Sequence, residues 1–215
     1  VNSPETPIFK KSEILYGFDR AKQSIRQYNF SILVEGQIDL VMTHQAGFTN
    51  TVASMGTAIT PFHMERLKRI SGNIVIALDA DDAGVASALK TAKIAITSGM
   101  DVKVAVLPEG KDPADVVQED KEKWKESVRT AKHVIDFLLE RILAHEKDSR
   151  KAKQRVTREL LPYVALIENG IDQAHFITRI ASALGIDDAI VAEEVRKIPQ
   201  GDIELPRQKE EPAKA

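Results

Sequence analysis

Apolar and polar positions alternate in two rhythms along this chain, and the rhythm changes near residue 110. Between residues 31 and 107, short apolar runs with strand character are separated by stretches whose apolar residues recur at helical spacing. Ser31–Glu35, Asn50–Ser54, Asn73–Leu78 and Asp101–Leu107 read as strands. Helices are predicted over 38–46, 60–70 and 83–98, with Thr60-Pro61 as the opening of the second. An earlier helix is predicted from Ser12 to Tyr28, with Ile14, Leu15, Phe18, Ala21 and Ile25 on one face. After Asp112 the strand signals stop, and 120–130, 132–147, 150–169, 172–184 and 187–197 all read as helices, with Pro162 as a kink in the long one.

Strictly alternating strands and helices imply a parallel, doubly wound sheet with right-handed crossovers. The expected fold is therefore α/β: a four-stranded parallel sheet flanked by helices, preceded by a helical segment and followed by a helical bundle. The expected divisions are 1–30, 31–118, 119–198 and a polar, proline-bearing tail over 199–215 that reads as a disordered linker.

Composition narrows this reading only a little. The 215 residues carry a net charge of −2 and no cysteine, so disulfides and thiolate zinc sites are excluded from this chain. No apolar run approaches a membrane span and no secretory leader is evident, which fits a cytoplasmic protein. The chain starts at Val1 with residues that read as mid-domain, so a piece of a longer polypeptide is expected.

Chemistry concentrates where the strands end. Ile74–Leu78 runs into Asp79-Ala80-Asp81-Asp82-Ala83-Gly84, and residues two apart on a strand face the same way. Open α/β sheets bind ligands outside the carboxyl ends of their strands, and paired carboxylates there are a seat for Mg²⁺. The plain alternative is that Asp81 or Asp82 caps the following helix and Asp79 is a turn residue. Glu35-Gly36 ends the first strand and Gly110-Lys111-Asp112-Pro113-Ala114-Asp115 follows the fourth. Carboxylates gathered on one sheet edge repel one another unless a cation neutralises them, and a divalent metal does so economically.

The motifs then resemble a known family. Val34-Glu35-Gly36-Gln37-Ile38-Asp39 is similar to the glutamate motif of Toprim domains, and Asp79-Ala80-Asp81 to their paired aspartates. Asn2–Lys11 with Leu15-Tyr16-Gly17, Ala46–Asn50 with Val52–Thr60, and Gly110-Lys111-Asp112-Pro113 resemble segments of the bacterial replicative DNA primases of the DnaG family. The resemblance implies a Toprim-type fold. The implied activity is metal-dependent nucleotidyl transfer, making short RNA primers from ribonucleoside triphosphates on a single-stranded DNA template. It assigns Glu35, Asp79 and Asp81 to catalysis and to metal, Asp112 as a further acid, and Mg²⁺ or Mn²⁺, more than one ion, as cofactor. Asp115 stands one place beyond a second family acid and is either a ligand or a helix cap. Glu35 is either ligand or general base. Lys10, Lys11 and Lys111 are candidates for the template or the triphosphate, against the plain reading of solvated lysines.

The family's zinc-binding domain, the first half of its catalytic core and the domain docking on the DnaB-type helicase are expected to lie outside this chain. The isolated chain is then a weak or inactive primase with its metal site intact. The rival readings are another Toprim enzyme, a topoisomerase or nuclease, and a non-catalytic Toprim module binding DNA or protein. The five histidines share no ligand spacing, and Trp124 reads as packing between helices.

Overall fold

The computed structural model describes residues 6, 10–54, 58–78 and 81–199, apart from the side chains of Lys11 and Leu78. The predicted alternation is present: α1 (Phe18–Tyr28), β1 (Ser31–Val34), α2 (Gln37–Gln45), β2 (Thr51–Ala53), α3 (Pro61–Lys68), β3 (Asn73–Leu78), α4 (Asp82–Thr97) and β4 (Asp101–Val106). Then come α5 (Pro113–Glu119), α6 (Lys121–Arg129), β5 (Lys132–His133) and α7 (Val134–His145). The sheet order is β2-β1-β3-β4-β5. β1 to β4 are parallel, and β5 is antiparallel to β4 through Lys103–His133 and Val104–Lys132.

Four departures from the predicted elements have local causes. The sheet has a fifth strand, because two residues of the stretch read as one helix from 132 pair with β4 before α7 begins. The first predicted helix is cut to a 3₁₀ turn at Lys11–Glu13 and then α1, because Gly17 lies between them at φ +76°. A Cβ at Gly17 would also meet the Leu40 side chain at 2.6 Å. α5 was not anticipated, although Asp112 and Pro113 form a cap and first-turn pair of the favoured kind. The helix predicted over 150–169 is three pieces: α8 (Ser149–Arg155), a π-helical turn at Val156–Leu160 and α9 (Leu161–Ala165). The wide turn falls just before Pro162, whose missing N–H and ring disrupt the regular ladder.

One face of the sheet is covered by α2, α5 and α6. Ile32 and Val34 of β1, Ala53, Ala77 and Leu107 form a buried cluster with Leu40, Val116, Val117 and the fully buried Trp124. Phe48 meets the Trp124 ring edge-on with centroids 6.1 Å apart. Alternate residues Leu33, Ile76, Val102 and Val104 are buried on the opposite side. α4 packs along β3 and β4, with Val85, Ala88, Ala92 and Ala95 buried.

The chain divides into compact units at His145/Glu146, so α6 and α7 belong to the sheet-bearing unit. The second unit holds α8, the π turn, α9, α10 (Gly170–Leu184) and α11 (Asp188–Lys197). Asp148, Asn169 and Asp187 cap the starts of α8, α10 and α11 with side-chain oxygens. Leu160, Val164, Ile180, Ala181 and Val191 are among its buried residues. The Gln173 side-chain amide donates to the carbonyls of Val164 and Ile167 at 3.1 and 3.3 Å, closing the end of α9. No helix among the described residues is long and apolar enough to cross a membrane.

Candidate metal centre

The strand order fixes where a ligand crevice must open. β1 sits between β2 and β3, so the chain leaves β1 towards one side of the sheet and β3 towards the other. At such a switch point the two connections part, and the space outside the carboxyl ends is left open. Glu35 follows β1, and Asp79 and Asp81 follow β3. Asp79 lies outside the described residues, as do Gly56, Thr57 and most of the primase-like segment before Lys10.

The described acids are held by their local backbone. Asp81 caps α4, accepting the Gly84 N–H on Oδ1 at 2.6 Å. Asp82, the other cap candidate, is instead the first residue of α4, and its carboxylate pairs with Arg141 at 2.5 Å. Asp112 caps α5, accepting the Asp115 N–H on Oδ1 at 2.7 Å. Asp115 is therefore not the cap; it lies exposed in the first turn. Glu35 is exposed and accepts the Ser87 hydroxyl of α4 on Oε1 at 2.9 Å. This bond ties the end of β1 to the helix that follows β3.

Asp39 orients backbone in two places. Its Oδ2 accepts the Gly36 N–H at 2.9 Å, closing the first turn of α2 behind Glu35. Its Oδ1 accepts the Ala114 N–H at 3.3 Å, from the loop that carries Asp112. One buried carboxylate thus joins two acid-bearing loops 75 residues apart. Glycine is required at 36 for this approach, since a Cβ there would lie 2.6 Å from Asp39 Oδ2. Burial pushes the Asp39 carboxyl above the usual carboxylate range; the bond from Gly36 opposes this, and the negative charges of Asp112 and Glu35 add to it. The segments that carry Glu35, after β1, and Asp112, before α5, are thus tied to one carboxylate.

Among the described residues, no three His, Asp or Glu side chains close into a metal-holding group. The donor set nevertheless fits Mg²⁺ or Mn²⁺. It consists of hard carboxylate oxygens, and the caps on Asp81 and Asp112 engage Oδ1 while each carboxylate keeps a second oxygen. It offers nothing suited to zinc in a thiolate site, the chain having no cysteine. The lysines are engaged elsewhere: Lys10 pairs with Glu13 at 3.1 Å and Lys111 with Glu119. The Lys11 side chain lies outside the described atoms. The histidines serve structure, His63 by accepting the Thr60 N–H at the start of α3 and His44 by bonding the Thr51 carbonyl.

A family profile described as Toprim-like matches residues 32–117, and one described as the DnaB-helicase binding domain of primase matches residues 135–189. The DNA primase of Clostridium acetobutylicum is 36% identical over 195 residues, covering 89% of this chain and 32% of the relative. The crystal structure of the Aquifex aeolicus primase, comprising zinc-binding and RNA polymerase domains, superposes with a TM-score of 0.77 at 30% identity, over 92% of this chain and 47% of that one. The chain is similar to bacterial DNA primases over most of its length. A DnaG primase catalytic domain bound to single-stranded DNA is also similar, with a TM-score of 0.77 and 30% identity over 88% of this chain and 62% of that one. The chain spans about a third of the length of the curated primases it matches. The helicase-binding profile falls inside the chain, whereas sequence reasoning put that part of a primase outside it.

Proposed function

We propose that this chain carries the metal-holding part of a primase active site, for template-directed joining of ribonucleotides into a short RNA primer on single-stranded DNA. The observation that carries the reading is that Asp39 joins the backbone beside Glu35 to the backbone beside Asp112, through the Gly36 and Ala114 N–H groups, at the switch point that Asp81 borders. Glu35, Asp79, Asp81 and Asp112 would hold Mg²⁺ or Mn²⁺, with Asp115 as an additional carboxylate one turn into α5. Bound there, the ions polarise the α-phosphate and stabilise the attacking and leaving oxygens.

The chain's own residues then have defined tasks. Asp39 and Ser87 hold the Glu35 and Asp112 loops in register, so the carboxylates need not reorganise when charge develops. In the reaction the primer 3′-oxygen bonds to the α-phosphorus, the bond to the β-phosphate bridge breaks and pyrophosphate departs. The hydroxyl proton needs an acceptor, and Glu35, an exposed carboxylate, would serve as one when it is not a ligand. Lys10, Lys11 and Lys111 would meet the triphosphate or template, Lys10 and Lys111 by exchanging their pairs with Glu13 and Glu119, which cost little to break. The match over residues 135–189 supports a contribution of that segment to helicase docking. A cytoplasmic setting follows from the same reading.

The test is extension of an RNA primer annealed to single-stranded DNA, with labelled ribonucleoside triphosphates and Mg²⁺ or Mn²⁺. Metal-dependent incorporation, lost in Glu35→Gln and Asp81→Asn, supports the proposal. Incorporation indifferent to both substitutions overturns it. Cleavage of linear or supercoiled DNA would point to a nuclease or topoisomerase instead.

A further inference from the structure

The opposite edge of the sheet contains a cavity of about 830 Å³ that the proposed chemistry does not use. It lies between the amino ends of β1, β3 and β4, the loop before β2, and α6. Ile76, Ala77 and Leu78 separate its lining on β3 from the acids that follow, roughly 13 Å of strand. Its size is that of a site for a small organic ligand.

The lining is specific in chemistry. Ile32, Val75 and Lys103 form one row across three strands, as partners in register, and all project to the α6 side of the sheet. The row therefore grades from apolar to cationic. Tyr28, Phe30 and Phe48 supply aromatic walls. Lys103, Lys125 and Arg129 face a single acid in the lining, Asp101. Lys125 and Arg129 hold exposed pairs with Glu122 and Glu126 on their own helix, at 3.4 and 2.7 Å. The Lys103 ammonium has no partner among the described residues. Asn50, only 3% exposed and also in the wall, donates its amide to the Phe30 carbonyl at 3.1 Å, while its Oδ1 accepts no bond among the described residues. An amide oxygen that accepts no bond among the described residues, beside aromatic rings and with an unpaired cation in the same lining, suits a ligand that brings an N–H, a flat ring and a negative charge.

We infer that this cavity binds a nucleoside mono- or diphosphate, independently of the metal centre. The base lies against Phe30, Phe48 and Ile32 with an N–H towards Asn50 Oδ1. The phosphate meets Lys103, and Lys125 and Arg129 close on it by exchanging their exposed pairs. No divalent metal is required, because lysine and arginine neutralise the phosphate directly. This separates the cavity from the acidic edge, where a phosphate binds only through metal.

ADP is the probe, titrated into the chain by calorimetry in EDTA. The expected result is saturable binding that weakens about tenfold in Lys103→Gln, as loss of a charge-assisted bond predicts, and is unchanged in Glu35→Gln. Lys103 is exposed on its strand, and an unchanged unfolding midpoint checks that the fold survives. Lys125→Gln, which disturbs only an exposed helix pair, gives a second and smaller loss. Absence of saturable binding in EDTA overturns the inference. So does binding that persists fully in both lysine variants, or binding abolished by Glu35→Gln, which would return the nucleotide to the acidic edge.

Discussion

The two edges of this sheet are made from the same strands and have opposite chemistry. At the carboxyl edge, Glu35, Asp81 and Asp112 are exposed and each is bonded through one oxygen, and Asp39 joins the segments of Glu35 and Asp112. At the amino edge, aromatic residues and three cations surround a cavity with one acid. A net charge of −2 conceals this separation entirely. Parallel strands make it possible, because every strand presents the same end to the same edge. Acids placed after β1, β3 and β4 must gather, whereas residues before the strands gather some 20 Å away. The lesson is that chain direction sorts charge in an α/β domain before any side chain is packed.

The severest way to break both edges together is to remove what they share. Trp124 is fully buried beneath the sheet, and Trp124→Ala should cost about 3–5 kcal/mol in denaturant unfolding. Trp124→Phe should cost far less, since the indole N–H is buried without a partner among the described residues. The next largest effect falls on the carboxyl edge alone. Asp81→Asn preserves the α4 cap, because asparagine caps as well as aspartate, yet it removes a charged ligand. Its Mg²⁺ or Mn²⁺ affinity should fall by more than the ~10–100-fold that outer partners of a metal site are worth.

Asp39→Asn sharpens the comparison further. Asparagine keeps one acceptor, so either the Gly36 or the Ala114 N–H is orphaned, at about 1–3 kcal/mol of stability and with weaker metal binding. It also changes the pH profile. The folded-state pKa of Asp39 is raised, so its contribution is fully present below the ordinary carboxylate range and is lost as pH rises through the elevated value. In metal-free buffer, wild type should therefore lose stability relative to Asp39→Asn over that interval, measured as unfolding midpoint against pH. The smallest effect should come from Asp82→Asn. Its side chain is 96% exposed and its pair with Arg141 is a surface contact, so metal affinity and unfolding midpoint should stay within error.

Much of the carboxyl edge could be read from sequence. Short apolar runs marked β1, β3 and β4 as strands, and acids in the segments after them announced an edge. The joining of that edge could not be read, because Asp39 reaches Ala114 across 75 residues and no local spacing encodes the contact. Asp81 and Asp82 are both good caps, and only the backbone decides that the first serves. The amino edge was invisible for a related reason. Lys103, Lys125 and Asn50 lie on separate elements, and each is ordinary where it stands in sequence. β5 escaped notice because two residues carry no periodicity, and the break before α1 because one glycine inside a helical pattern does not reveal its torsion. α5 is different: its Asp-Pro start was present in the sequence and was overlooked.

The central claim is that the acids at the switch point act as one metal seat. Calorimetric titration of Mn²⁺ and Mg²⁺ into the chain tests it most directly, with Glu35→Gln, Asp79→Asn and Asp81→Asn beside Asp101→Asn, an acid of the other edge. The account predicts specific binding that is lost in the first three variants and retained in Asp101→Asn. Equal binding in all of them, or none in wild type even with a ribonucleoside triphosphate present, would contradict it.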